Sequence, residues 1–102
     1  MFLEKYLNEI YLELLYDKYE EWYINSLDEN KFLNIYNLFK KYNFYFIEDI
    51  IINYLEIFEL EIEEVEKGIL NLKEKLGEKF IFKIGNDLTY LDELLDNNEL
   101  EN

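Results

Sequence analysis

Apolar residues fall at helical spacing through most of this chain, and the polar positions between them are predominantly acidic. From Phe2 to Tyr23, Leu3, Leu7, Ile10 and Leu14 form one stripe, and Tyr11, Leu15, Tyr19 and Trp22 form a second beside it. Two adjacent stripes predict a helix packed on more than one side. Ser26-Leu27-Asp28-Glu29 then fits the capping-box order, in which Ser26 accepts from the N3 amide and Glu29 reaches back to the cap amide. A second helix is expected to start there and bury Phe32, Ile35, Phe39 and Tyr42. Lys40 and Lys41 suit the negative end of its dipole, and Asn43 suits a left-handed stop.

From Ile47 the apolar positions Ile51, Leu55, Phe58, Ile62, Val65, Ile69, Leu72 and Leu76 recur at spacings of three and four. Glu59-Leu60-Glu61 interrupts the pattern, so two helices with a bend near residues 58–61 are expected. The second should end at Gly77, with Lys73 and Lys75 in its last turn, although Gly68 costs about 1 kcal/mol in a helix interior. Lys79 to Ile84 changes period. Phe80, Phe82 and Ile84 alternate with Lys79, Ile81 and Lys83, which predicts a short strand with one buried face. Its partner would be Phe44 to Phe46 or the same edge of a second copy. Gly85-Asn86 then predicts a turn, Asp87 a cap, and Leu88, Leu91 and Leu95 a last short helix. The expected fold is mainly α: a compact four- or five-helix domain over residues 1–96, α+β if the small element near 79–84 forms. An acidic, frayed tail is expected at 97–102.

Composition adds limits to this outline. A chain of 102 residues is a usual single-domain size, and ten Tyr, eight Phe and one Trp supply the area a core needs. There is no Cys, hence neither disulfides nor thiolate chemistry. The first residues lack a basic segment followed by an apolar stretch, and the longest apolar runs, such as Phe44 to Ile47, fall far short of the roughly 20 residues that cross a bilayer. A cytoplasmic protein is the expectation, with membrane binding disfavoured by charge. Ala, Arg, Pro, Gln and His are also absent, a bias that suggests A+T-rich coding in a microbial or viral genome.

Charge changes the picture most. Asp and Glu outnumber Lys by 24 to 10, and the net charge of −14 divides into −3 over residues 1–43 and −11 over residues 44–102. Nucleic acid is therefore excluded as a direct ligand, because phosphate contacts need cations to release condensed counterions. A basic protein surface is the natural partner.

Candidate chemistry is sparse. With no His, Cys or Arg, one Ser (Ser26) and one Thr (Thr89), nucleophile and base pairs of the hydrolase kind cannot be assembled except with Lys or carboxylates, and no enzyme activity is expected. Gly68, Gly77 and Gly85 match no phosphate-binding loop, and neither an EF-hand order nor a Glu-x-x-His motif occurs, so no cofactor and no metal are expected. Two carboxylate runs remain: Glu56, Glu59, Glu61, Glu63, Glu64 and Glu66, and then Asp87, Asp92, Glu93 and Asp96 with Glu99 and Glu101 behind them. Tyr54 and Tyr90 lie beside them and suit an interface, since Tyr buries ring area at low rotamer cost and keeps a hydroxyl. The plain alternative is two solvated faces, one helped by Glu63 and Lys67 at i,i+4.

Together these features lead to one functional expectation and two alternatives. The expectation is an acidic inhibitor that neutralises a basic nucleic-acid-processing enzyme, as an immunity protein or antitoxin does to a nuclease-type toxin, with carboxylates standing in for phosphates. The first alternative is a phage-encoded nucleic-acid mimic acting on a host defence effector, in the manner of an anti-CRISPR protein. The second is a self-associating adaptor or small subunit, including a homodimer through the Leu55 to Leu76 seam and the Phe80 to Ile84 edge.

Overall fold

Six α-helices and three 3₁₀ turns carry residues 1–95, the part of the chain that the computed structural model describes. A 3₁₀ turn, Phe2–Lys5, leads into α1 (Glu9–Lys18), α2 (Glu21–Asn25), α3 (Glu29–Lys41) and α4 (Ile47–Asn53). A second turn, Leu55–Glu59, precedes α5 (Ile62–Leu76) and α6 (Phe80–Asn86), and a third, Leu88–Leu91, runs into helical residues 92–95. The mainly α expectation holds. The radius of gyration of 13.5 Å matches the value of about 13 Å usual for a compact domain of this length.

Phe58 sits at the centre of the core. Its ring stacks on Phe32 of α3 at 4.8 Å and meets Phe39, about two turns further along the same face, at 5.7 Å. Phe39 in turn meets Phe44 edge-on at 5.0 Å, and Phe44 meets Phe80 at 6.2 Å. This run of rings ties α3 to the second half of the chain, and each well-placed aromatic pair adds about 0.5–1.5 kcal/mol beyond its buried area. Leu15, Ile24, Ile50, Ile51, Leu55, Val65, Ile69 and Leu91 pack around it, and no polar or charged residue is buried among the described residues.

The first predicted helix is broken into three pieces. Asn8 starts α1 afresh by accepting from the Tyr11 amide at 3.0 Å, and Tyr19 ends it in extended conformation. The stripe that looked continuous therefore splits: Leu3 and Leu7 are buried before the break, whereas Ile10 and Leu14 face outward after it. The cap of α3 also differs from the capping-box reading. Ser26 has the right-handed helical conformation of the residue that closes α2 and donates its hydroxyl to the Tyr23 carbonyl at 2.7 Å, so it cannot also be an extended N-cap. Asp28, which is extended, takes that role and accepts from the Lys31 amide at 3.0 Å. Asn43 does adopt the left-handed conformation after α3, with φ 66°.

The bend expected near residues 58–61 is present, as a 3₁₀ turn between α4 and α5, and α5 ends at Gly77 as expected. Gly68 is there for packing. A Cβ at this position would lie 2.9 Å from Leu94 Cγ, so the glycine lets the final turn close onto α5.

The β element expected near residues 79–84 is corrected. Those residues enter α6, and no strand occurs among the described residues. Alternation over five positions also satisfies a helix, because Phe80 and Ile84 stand one turn apart, and both are buried. A lone strand would have left its backbone groups unpaired, whereas the helix satisfies them internally. The proposed strand partner, Phe44 to Phe46, is irregular, with Phe44 and Phe46 buried and Tyr45 exposed. The expected tail at 97–102 lies outside the described residues.

Candidate functional site

The carboxylates of the Glu56 to Glu66 run are mostly engaged by side chains of the N-terminal half. Tyr19, which closes α1, and Tyr23, in the middle of α2, stand four residues apart and meet Glu56 and Glu59, three apart on the second 3₁₀ turn. The Tyr19 hydroxyl donates to Glu56 at 3.1 Å and accepts from the Leu55 amide at 3.2 Å, and the Tyr23 hydroxyl donates to Glu59. Lys31 of α3 bridges to Glu61 at 3.2 Å. Further along α3, Lys41 and Tyr42 both hold Glu66, at 3.2 and 2.6 Å. Glu63 and Glu64 alone of this run have no such partner among the described residues; they occupy the first turn of α5, where the helix dipole favours anions.

These bonds leave a signature on the titration of the phenols. Burial, opposed by the Leu55 amide and reinforced by Glu56, pushes the Tyr19 phenol up to about 12. Burial and the bond to Glu59 raise that of Tyr23. The bond to Glu66 raises Tyr42, and the reciprocal effect, led by Tyr42 and joined by Lys41, lowers the Glu66 carboxyl.

The second run converges on Tyr54. Its hydroxyl donates to Asp92 at 2.8 Å, and burial followed by Asp92, with smaller effects of Asp87 and Glu56, pushes its phenol up to about 12. Asp92 is the carboxylate bonded to this ring, and Asp87 and Glu56 act on it through charge alone. Asp87 itself caps the last 3₁₀ turn, accepting from the Thr89 amide at 3.1 Å. Glu93 is held by Lys75 at 2.7 Å, on the far end of α5 from Glu63. Tyr90 is half-buried against the core, and Asp96 lies outside the described residues.

A third acidic surface was missed at the sequence level. Glu9, Glu13, Asp17, Glu20 and Glu21 on α1 and around α2 are exposed, and their carboxylates have no hydrogen bond or ion pair among the described residues. Only Leu15 of α1 is fully buried. Ile10, 68% exposed, and Leu14, 45% exposed, share the outer side of α1 with those carboxylates, and Trp22 on α2 is 69% exposed. Leu14 borders a shallow cleft with Asp17, Lys18, Ile52 and Asn53, in which Lys18 is tied to Asn53 at 2.9 Å. Five carboxylates against one Lys over residues 9–21 gave a signal, but the lysines of α3 diluted it in the total for the first 43 residues.

No group of three or more His, Cys, Asp or Glu is placed to hold a metal ion among the described residues, and no helix there is long and apolar enough to cross a membrane. What this surface can do chemically is present carboxylates, phenols and a few uncovered aliphatic side chains to another molecule. Comparison with protein-family models, with curated proteins and with solved structures finds no match to this chain.

Proposed function

We propose that the protein is an acidic binding inhibitor that neutralises a basic nucleic-acid-processing enzyme, in the role of an immunity protein or antitoxin against a nuclease-type toxin. The observation that carries this reading is a surplus of carboxylates that the fold does not consume. With a net charge of −14, only five ion pairs are formed among the described residues, and one of those uses the N-terminal amine. Exposed ion pairs contribute only about 0–1 kcal/mol each, and a large one-sign charge opposes the compact state through self-repulsion. A scaffold gains nothing from that surplus, whereas a binder of a cationic groove gains faster encounter and rejection of wrong partners. In this reading the chain performs no catalysis, works in the cytoplasm, and blocks access of phosphates to the enzyme it binds.

The test is capture of the tagged protein from lysate of its own source at low and moderate salt, followed by an activity assay on whatever basic enzyme is retained. Stoichiometric recovery of a nuclease whose activity falls on adding the protein is the expected result. Recovery of the protein alone, or of a neutral assembly with unchanged activity, would replace the inhibitor with the adaptor reading.

A further inference from the structure

The outer side of α1 presents an apolar helix face with no partner among the described residues. Ile10 and Leu14 lie one turn apart, and Leu14 borders a cleft whose floor includes the buried Ile52 of α4. A fold that buries 25 hydrophobic residues among those described has left these two aliphatic side chains in water, although α1 has a second face, through Leu15, that packs normally. Around them stand Glu9, Glu13 and Asp17, while the one cation, Lys18, is held by Asn53. The surroundings decide what can cover the face. A second copy docking through the same face would oppose two sets of unscreened carboxylates, and an anionic lipid surface would be repelled for the same reason.

We propose that this face docks a lysine- or arginine-bearing amphipathic helix of a protein partner. Two exposed aliphatic side chains one turn apart beside a cleft offer a seat for the anchors that an amphipathic helix carries at i, i+3, i+4 and i+7 in helix-in-groove recognition. The cationic positions flanking those anchors would meet Glu9, Glu13 and Asp17. Aliphatic contact supplies the affinity and the carboxylates set the sign of the partner, the usual division between an apolar centre and a charged rim. This inference does not rest on the inhibitor reading, because it names a recognition element that any cationic helical partner can carry.

The probe is a 15-residue peptide of leucine and lysine, with leucine at the four anchor positions. A control peptide of equal charge replaces each leucine by serine. Both are titrated into the full chain at near-physiological salt, with calorimetry for affinity and backbone amide shifts for location. The leucine peptide is expected to bind at least about tenfold more tightly than the serine peptide, and to move the amides of residues 9–18 and 52–53 most. Ile10→Ser combined with Leu14→Ser should abolish that preference while leaving the circular dichroism unchanged, since both side chains are exposed. Equal affinity of the two peptides would overturn the proposal, as would shifts centred away from α1 and α4. So would a concentration-dependent mass with no peptide binding, which would assign the face to a second copy. The amide map decides the matter even if the double variant fails to fold, and none of these readouts depends on finding a nuclease.

Discussion

The Glu56 to Glu66 run and the α1 surface are both acidic, the first more densely, and they use their charge in different ways. Along the first, Tyr19, Tyr23, Tyr42, Lys31 and Lys41 reach across from the N-terminal half and take hold of four of six carboxylates. Along α1, Glu9, Glu13 and Asp17 have no such partner among the described residues, and apolar Ile10 and Leu14 stand between them. Charge density in a sequence is therefore not charge available to a partner. A carboxylate bonded to a tyrosine has part of its surface occupied and its position fixed, so it contributes field more than contact, whereas an unpartnered one beside uncovered aliphatic surface can contribute both.

The largest effect that distinguishes the regions should come from the residues behind each. Phe58→Ala, which removes the ring between the Glu56 and Glu59 clasps, should cost about 3–5 kcal/mol in denaturant unfolding, whereas Leu14→Ala should stay within about 1 kcal/mol. Equal losses would mean that α1 is as deeply packed as the 3₁₀ turn. For the proposed partner, Glu63→Lys with Glu64→Lys should slow association by about tenfold at low salt and flatten its salt dependence, at a cost of no more than about 2 kcal/mol of stability from the first turn of α5. These two are a cleaner pair than Glu59 and Glu61, whose reversal also breaks contacts with Tyr23 and Lys31. Unchanged association would take the first run out of the interface.

A smaller contrast concerns the clasps themselves. Tyr19→Phe removes a donor to Glu56 and an acceptor for the Leu55 amide and should cost about 1–2 kcal/mol, while Glu13→Gln should change stability by less than about 0.5 kcal/mol. Comparable small losses would reduce the clasps to surface decoration. The last effect is on titration. Because the folded phenols of Tyr19 and Tyr54 are raised to about 12, their contribution to stability is complete below the ordinary tyrosine value near 10 and is lost as pH rises from there toward about 12. Phenolate absorbance should show a late phase in the native chain that disappears in denaturant. A single phase near 10 in both would show that these rings are open to water.

Much of this fold can be read from local pattern, and the failures have physical causes. α3 and α5 were legible because each carries one apolar stripe and a clear stop, Asn43 or Gly77, where the backbone turns left-handed or reaches positive φ. The segment from Phe2 to Tyr23 misled because its two stripes belong to separate elements divided by the Asn8 cap. Phe80 to Ile84 misled because five alternating residues cannot distinguish a period of two from a four-residue repeat. The candidate residues were legible as charges but not as contacts. Nothing local pairs Tyr19 with Glu56, which are 37 positions apart, and the α1 surface was hidden by lysines that neutralise the sum without sitting near it.

The sequence by itself determined a helical chain with a large aromatic core, no His, Cys or Arg, and a large negative charge, because these depend only on residue types and their short-range period. Tertiary structure decided which anions are held and which face outward. Packing α1 against α4, and α3 against the turn after it, places tyrosines and lysines on the carboxylates of one region. The same packing turns Ile10, Leu14 and their neighbouring carboxylates into solvent. That allocation depends on which distant segments meet, and no local periodicity encodes it.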